Sequence, residues 1–115
     1  MESILTSAKR ISGVMKEEEH FDDEIIMYIN SVFMVLKQLG VGPSEGFVIT
    51  DESSTWHDFL PDDEDKILRE YVKAYMGAKV KLQFDPPSNS SHMESLVRTI
   101  NEFEWRSYVE EDSIE

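Results

Sequence analysis

Residues 22–39, DDEIIMYINSVFMVLKQL, carry the clearest folding signal of the chain. Apolar residues recur there at steps of three and four, which predicts a helix with one apolar face. The members of that face are Ile25, Ile29, Val32, Phe33, Leu36 and Leu39. Three acidic residues fill the first turn, where the helix dipole and the free N–H groups favour them, and Asp22 is the predicted N-cap. Gly40, Gly42 and Pro43 end the helix.

The opposite side of this helix carries two methionines among polar residues. At 100° per residue, Met27 and Met34 share the side that also holds Asp23, Asn30 and Lys37. Two large apolar side chains on an otherwise polar side indicate a second contact surface.

Three further helices are predicted around this one. The first covers residues 3–12 and stops at Gly13, and the third covers residues 62–84 and stops at Pro86. The fourth covers residues 91–109 and opens with a capping box formed by Ser91 and Glu94. Gly77 inside the third helix would let another segment approach closely. The predicted inner face of the third helix is Leu68, Tyr71, Val72, Tyr75, Lys79 and Leu82, and that of the fourth is Met93, Leu96, Val97, Ile100 and Phe103.

Between the second and third helices, residues 40–60 lose the helical pattern and are predicted to form a long loop. A short extended piece is expected at 47–50, followed by one turn that Thr55 caps through Asp58. The predicted fold is therefore all-α, a small bundle of about four helices in one domain over residues 1–115. Residues 110–115 are expected to form a frayed acidic tail.

The composition excludes several classes of protein. The chain has 115 residues, with 11 Lys and Arg against 24 Asp and Glu, a net charge of −13. Nucleic acid and anionic membranes would repel such a surface. The absence of cysteine excludes disulfides, thiol catalysis and cysteine-based metal sites. No apolar run approaches the roughly 18 residues of a membrane span, and no signal peptide is recognisable, so we expect a soluble, unprocessed protein.

No catalytic, cofactor or metal site is predicted. The three histidines lie at different segment boundaries, and the only ligand-like spacing is Glu17 with His20. A di-metal carboxylate site needs two such units and further acidic residues, so a solvated acidic helix entry is the better interpretation. Phosphate-binding glycine motifs are absent, and the loop serines lack a base and an orienting group.

The candidate functional residues are instead contact residues. Lys66, Arg69 and Lys73 are predicted to form a basic stripe on the third helix, either solvated or facing the acidic surface of another copy. Large apolar residues outside the tidy core faces are the other candidates, with Arg98 beside them. Together the candidates are Met27, Met34, Trp56, Phe59, Lys66, Arg69, Lys73, Arg98 and Trp105.

Four stretches together resemble one family. They are FDDEIIMYINSVFMVLKQLGVGP, DESSTWHDFL, YVKAYMGAKVKLQFDPPSNSS and ESLVRTINEFEWR, in this order between residues 4 and 108. The sequence resembles the phage head-tail connectors, also called head-completion or DNA-packaging adaptor proteins, of tailed phages and prophages of Gram-positive bacteria. The most specific features are Tyr28-Ile29-Asn30, Trp56 in its loop, Phe84-Asp85-Pro86-Pro87 and Glu104-Trp105-Arg106.

The resemblance implies an all-α structural protein without enzymatic activity or cofactor. It implies a ring of identical subunits beneath the portal protein, at the head-tail junction of a virion assembled in the bacterial cytoplasm. The ring would extend the DNA channel, let packaged DNA pass without specific binding, and receive neck or tail-completion proteins. The subunit could stay monomeric until the portal templates the ring.

A net charge of −13 supports a second hypothesis, an acidic regulatory protein that mimics DNA and occupies a basic groove of its target. DNA mimicry predicts acidic residues spaced along an elongated surface. Here they cluster at helix starts and in the tail, where capping explains many of them.

Overall fold

Helices make up the fold in the order that the periodicity predicts. The computed structural model describes the backbone of residues 2–114 and the side chains of residues 2–106. The helices are α1 (Ile4–Ile11), α2 (Asp22–Gln38), α3 (Trp56–Phe59), α4 (Lys66–Phe84) and α5 (Ser90–Ile114), with a 3₁₀ turn at Asp63–Asp65 before α4. The prediction of an all-α bundle is confirmed. The expected frayed tail at 110–115 lies outside the described side chains and stays a prediction.

Helix α4 occupies the centre, because α1, α2 and α5 all pack against it. It is therefore buried on more than one side, and this explains an error in its predicted inner face. Tyr71, predicted inside, is exposed, whereas Met76 and Val80, which the prediction missed, are buried. Gly77 does admit a close neighbour, the Ile11 side chain of α1, whose Cδ1 would lie 2.5 Å from an added Cβ.

Two predicted helix caps are wrong by one or two residues. Phe21 occupies the N-cap position of α2 without a side-chain cap, and Asp22 instead forms an ion pair with Lys9. At α5, the Asn89 side chain accepts the hydrogen bond from the backbone N–H of His92, so the helix begins before Ser91. Several residues near each start could serve as caps, and the tertiary contacts decide between them.

The loop from 40 to 60 is folded onto α2 rather than extended away from it. Thr55 and Asp58 form the predicted capping box at the start of α3. The expected extended piece at 47–50 is not a strand; Asn30 holds it by donating to the Ile49 carbonyl (3.0 Å) and accepting from the Ile49 N–H (2.8 Å). In the part of the chain that is described, the one isolated β-bridge joins Ser3 to Thr55.

Gly42 allows this loop to cross the ring of Phe59. Its φ is +92°, and an added Cβ would lie 2.5 Å from a ring carbon of that buried phenylalanine. We expect Gly42→Ala to lower the free energy of unfolding by about 2 to 3 kcal/mol, from left-handed strain plus overpacking. Gly13→Ala is the matched control, because Gly13 has a φ of +83° but no neighbour within 4 Å.

Urea denaturation of both variants checks this prediction. Gly13→Ala should lose only the conformational part, about 1 kcal/mol. Equal losses in the two variants would show that contact with Phe59 contributes nothing at Gly42.

Candidate interaction surfaces

Three of the nine predicted contact residues lie inside the subunit. Trp56 and Phe59 are buried at 3% and 2% exposure and pack against Phe33. Arg69 is also buried, and its guanidinium donates to the backbone carbonyls of Leu60 and Asp62. These side chains hold the 40–62 segment against α2 and α4. The sequence does not distinguish these three residues from exposed ones, because their burial depends on where the 40–62 segment folds.

The predicted basic stripe is not a free surface either. Arg69 is buried, and Lys73 forms ion pairs with Glu2 (2.9 Å) and Glu70 (3.2 Å). Of the three predicted residues of the stripe, Lys66 is the exposed one. Burial lowers the pKa of Lys73, but its hydrogen bonds and the charges of Glu2 and Glu70 raise that pKa overall. Lys73 therefore joins the start of the chain to α4 within the subunit.

Glu2 receives both Lys73 and Arg10, the latter at 2.7 Å. The hydrogen bond from Lys73 lowers the pKa of Glu2, partial burial opposes it, and the charges of Lys73 and Arg10 keep the pKa below its ordinary value of 4.5. A carboxylate with a lowered folded-state pKa stabilises the fold above its unfolded pKa, and this contribution disappears as the pH falls through the folded value.

We expect Glu2→Gln to reduce the free energy of unfolding at pH 7 by up to about 1 kcal/mol, as for a partly exposed ion pair. Urea denaturation from pH 7 to pH 3 measures the effect, and the difference from wild type should shrink below pH 4.5. Glu70→Gln should reduce the free energy of unfolding by less, because the Glu70 side chain is 72% exposed. A pH-independent difference for Glu2→Gln would contradict the role of the charge.

The remaining candidates lie on the outside. Met27 and Met34 are exposed on α2 as predicted, and Trp105 and Arg98 are exposed on α5. On α5 they line an open, mostly apolar face together with Met93 and Val97. The prediction of Met93 and Val97 on the inner face of this helix is therefore wrong, since only Leu96, Ile100 and Phe103 of that predicted face pack in or against the core. We call the residues Met93, Val97, Arg98 and Trp105 the α5 outer face. Since α5 packs on α4 through its other side, this face has no partner among the described residues.

A third surface, which the sequence interpretation missed, is a groove of about 940 Å³ with a mixed apolar and acidic lining, between the 39–45 loop, residues 58–62 and the start of α4. Its apolar lining includes Val41, Leu60, Ile67, Leu68 and Tyr71, and its acidic lining is Glu45, Asp58, Asp62 and Asp65. Ile67 and Tyr71 are 66% and 60% exposed. We call it the α4 groove. The sequence signal for this groove was the presence of three apolar residues within five positions, Ile67, Leu68 and Tyr71. The helical pattern assigned Leu68 and Tyr71 to the core, so the groove was not predicted.

The described side chains offer little for chemistry. They contain no group of three or more histidine and acidic residues that could hold a metal ion. Tyr75 is buried, stacks on Phe103 and donates to Glu104 at 3.0 Å. Burial and this carboxylate raise the pKa of Tyr75, so it stays protonated and structural. Among the helices described, none is long and apolar enough to cross a membrane.

Comparison with known proteins identifies the family of the chain. A family model described as phage connector protein matches residues 4–113, almost the whole chain. It confirms the family resemblance predicted from the sequence. No curated protein and no solved structure matches the chain significantly.

Proposed function

The chain belongs to the phage connector protein family, and from this premise we propose that it forms a ring beneath the portal protein at the head-tail junction of the virion. In this role it extends the DNA channel and receives neck or tail-completion proteins. The observation that carries the proposal is the family match over residues 4–113.

The exposed apolar residues support contacts on more than one side of the subunit. Met27 and Met34 lie on α2, whereas Trp105 lies on the α5 outer face, and each is more than half exposed. A subunit in a cyclic ring needs two different contact surfaces, one for each neighbour. We propose that these two surfaces, with Arg98 and Lys66 near the contacts, join the subunits to each other and to the portal.

The net charge of −13 supports assembly on a template. Subunits with this charge repel one another in free solution, while the portal can hold them at a high local concentration. The same charge keeps packaged DNA from adhering to the ring. At physiological salt the Debye length is about 8 Å, so dissolved ions weaken the repulsion between subunits. Added salt should therefore favour the ring if apolar contacts hold the subunits together.

The alternative of a DNA mimic gains no support from the placement of the acidic residues. Asp22, Asp23 and Glu24 lie in the first turn of α2, and Asp58 belongs to the capping box of α3. These positions stabilise helix starts. No reaction is required by the proposed function, and the protein is proposed to act without cofactor.

Binding to purified capsids tests the proposal. Wild-type protein is mixed with capsids that carry the portal and with capsids that lack it, and both are imaged by electron microscopy after sedimentation. We expect added ring density at the portal vertex alone. Light scattering of the free protein at two salt concentrations measures its own assembly. Failure to bind portal-bearing capsids, with a monomer at both salt concentrations, would contradict the connector role.

A further inference from the structure

We propose that the α4 groove binds a basic, amphipathic segment of a different protein at the junction, in which lysine or arginine residues flank an apolar anchor. The inference rests on the proposed function and names the chemistry of one partner. It assigns the groove to a heterologous contact, separate from the contacts between identical subunits.

The apolar lining of the groove provides the place for the anchor. Ile67 and Tyr71 are four residues apart on α4, so they lie on one side of the helix, and both are more than half exposed. Val41 and Leu60 line the groove from the loop side. A volume of about 940 Å³ is large enough for one or two large side chains of a partner helix.

The charges of the groove determine the kind of partner. Glu45, Asp58 and Asp62 are exposed and Asp65 is half-buried, and none of the four has an ion-pair partner among the described side chains. Four carboxylates around the apolar residues of the groove repel acidic segments and attract cationic ones.

A second copy of this chain is a poor occupant. Most of its cationic side chains already have a partner within the same subunit. Arg69 donates to backbone carbonyls, and the others form ion pairs: Lys9, Arg10, Lys73, Lys79, Lys81 and Arg106. The others, Lys16, Lys37, Lys66 and Arg98, lie on four different segments and do not form a basic cluster. Arg98 shares the surface of the α5 outer face with Glu94 and Glu102, so its surroundings are acidic rather than basic.

Peptide binding tests the chemistry directly. The probe is a fluorescent 18-residue helical peptide with Leu and Trp at i, i+3, i+4 and i+7 and Lys or Arg on both flanks. Its controls are a scrambled peptide and one with Glu in place of Lys and Arg. Fluorescence anisotropy at 50 and 300 mM NaCl should show binding of the basic amphipathic peptide alone, weakened at the higher salt.

Matched charge variants locate the binding. Glu45→Gln/Asp62→Asn/Asp65→Asn removes three groove carboxylates and spares Asp58, which caps α3. The control Glu17→Gln/Glu19→Gln/Glu52→Gln makes the same change in net charge at exposed sites elsewhere. We expect the groove variant to bind about tenfold more weakly and the control to change less than about twofold. Equal weakening in both would show that net charge alone attracts the peptide and would overturn the inference.

Cross-linking in the assembled junction tests the identity of the occupant. The chain has no cysteine, so Ile67→Cys carries a single photo-reactive label inside the groove, and Met27→Cys carries it outside. On portal-bearing capsids supplied with purified neck proteins, we expect the groove label to cross-link to a different protein through a basic segment identified by mass spectrometry. Cross-links between identical subunits from Ile67→Cys would overturn the inference while leaving the ring intact. Loss of capsid binding by the unlabelled wild type would instead overturn the proposed function.

Discussion

Replacing Phe33 by alanine is expected to lower the free energy of unfolding by about 3 to 5 kcal/mol, the largest effect of any single substitution considered. Phe33 is 2% exposed and lies at the centre of an aromatic cluster. Its ring centroid is 4.7 Å from that of Phe59, 5.1 Å from that of Phe47 and 6.4 Å from that of Trp56. Truncation removes apolar burial and leaves a cavity that rigid rings on three sides fill poorly.

Urea denaturation followed by circular dichroism measures this loss. Met34→Ala is the control, because it truncates a large apolar side chain at the next residue, which is 58% exposed. The control should change the free energy of unfolding by less than about 0.5 kcal/mol. Similar losses in both variants would contradict the assignment of Phe33 to the core and of Met34 to the surface.

Replacing Lys9 by methionine is expected to lower the free energy of unfolding by about 3 to 4 kcal/mol. Lys9 is a buried lysine at 3% exposure, and its ammonium group lies 2.7 Å from Asp22 Oδ1. It also donates to the backbone carbonyls of Lys16 and Glu18, which fixes the acidic loop between α1 and α2. Methionine keeps the apolar stem of the side chain but leaves Asp22 and both carbonyls without their cation.

Lys16→Met is the control for this change, because Lys16 is exposed and provides only its backbone carbonyl to the contact. A double-mutant cycle with Asp22→Asn separates the charge pair from the carbonyl contacts. We expect Asp22→Asn to cost less in the Lys9→Met background than in wild type. Strict additivity of the two changes would contradict coupling between Lys9 and Asp22.

The exposed positions of the candidate contact residues were the predictable part of the candidate surfaces. Met27 and Met34 break the polar side of a strongly periodic helix, and Trp105 and Arg98 fall outside the inner face of α5. Helical periodicity placed these four residues outside correctly, but it placed Met93 and Val97 of the α5 outer face on the inner side. The α4 groove was not predictable, because three separate segments form it and its apolar residues fit a core pattern equally well.

The basic residues show the opposite outcome. A sequence pattern places Lys66, Arg69 and Lys73 on one side of α4, yet it cannot show that Arg69 meets the carbonyls of Leu60 and Asp62. Nor can it show that Glu2, 71 positions away in sequence from Lys73, supplies the partner of that lysine. Whether a charged side chain on a helix forms contacts within the subunit or stays exposed depends on the segment that folds next to it.

The helices, their approximate ends and the family were all predictable from the amino-acid sequence. Those properties depend on local signals, namely apolar residues at helical spacing, glycine and proline at the helix ends, and motifs in a fixed order. The caps that are used, the aromatic and basic residues that are buried, and the position of the α4 groove became visible in the folded chain alone. These features depend on contacts between segments that are distant in the sequence. Helix α4 illustrates this, because three other helices cover it and a periodic pattern that assumes one buried face cannot describe it.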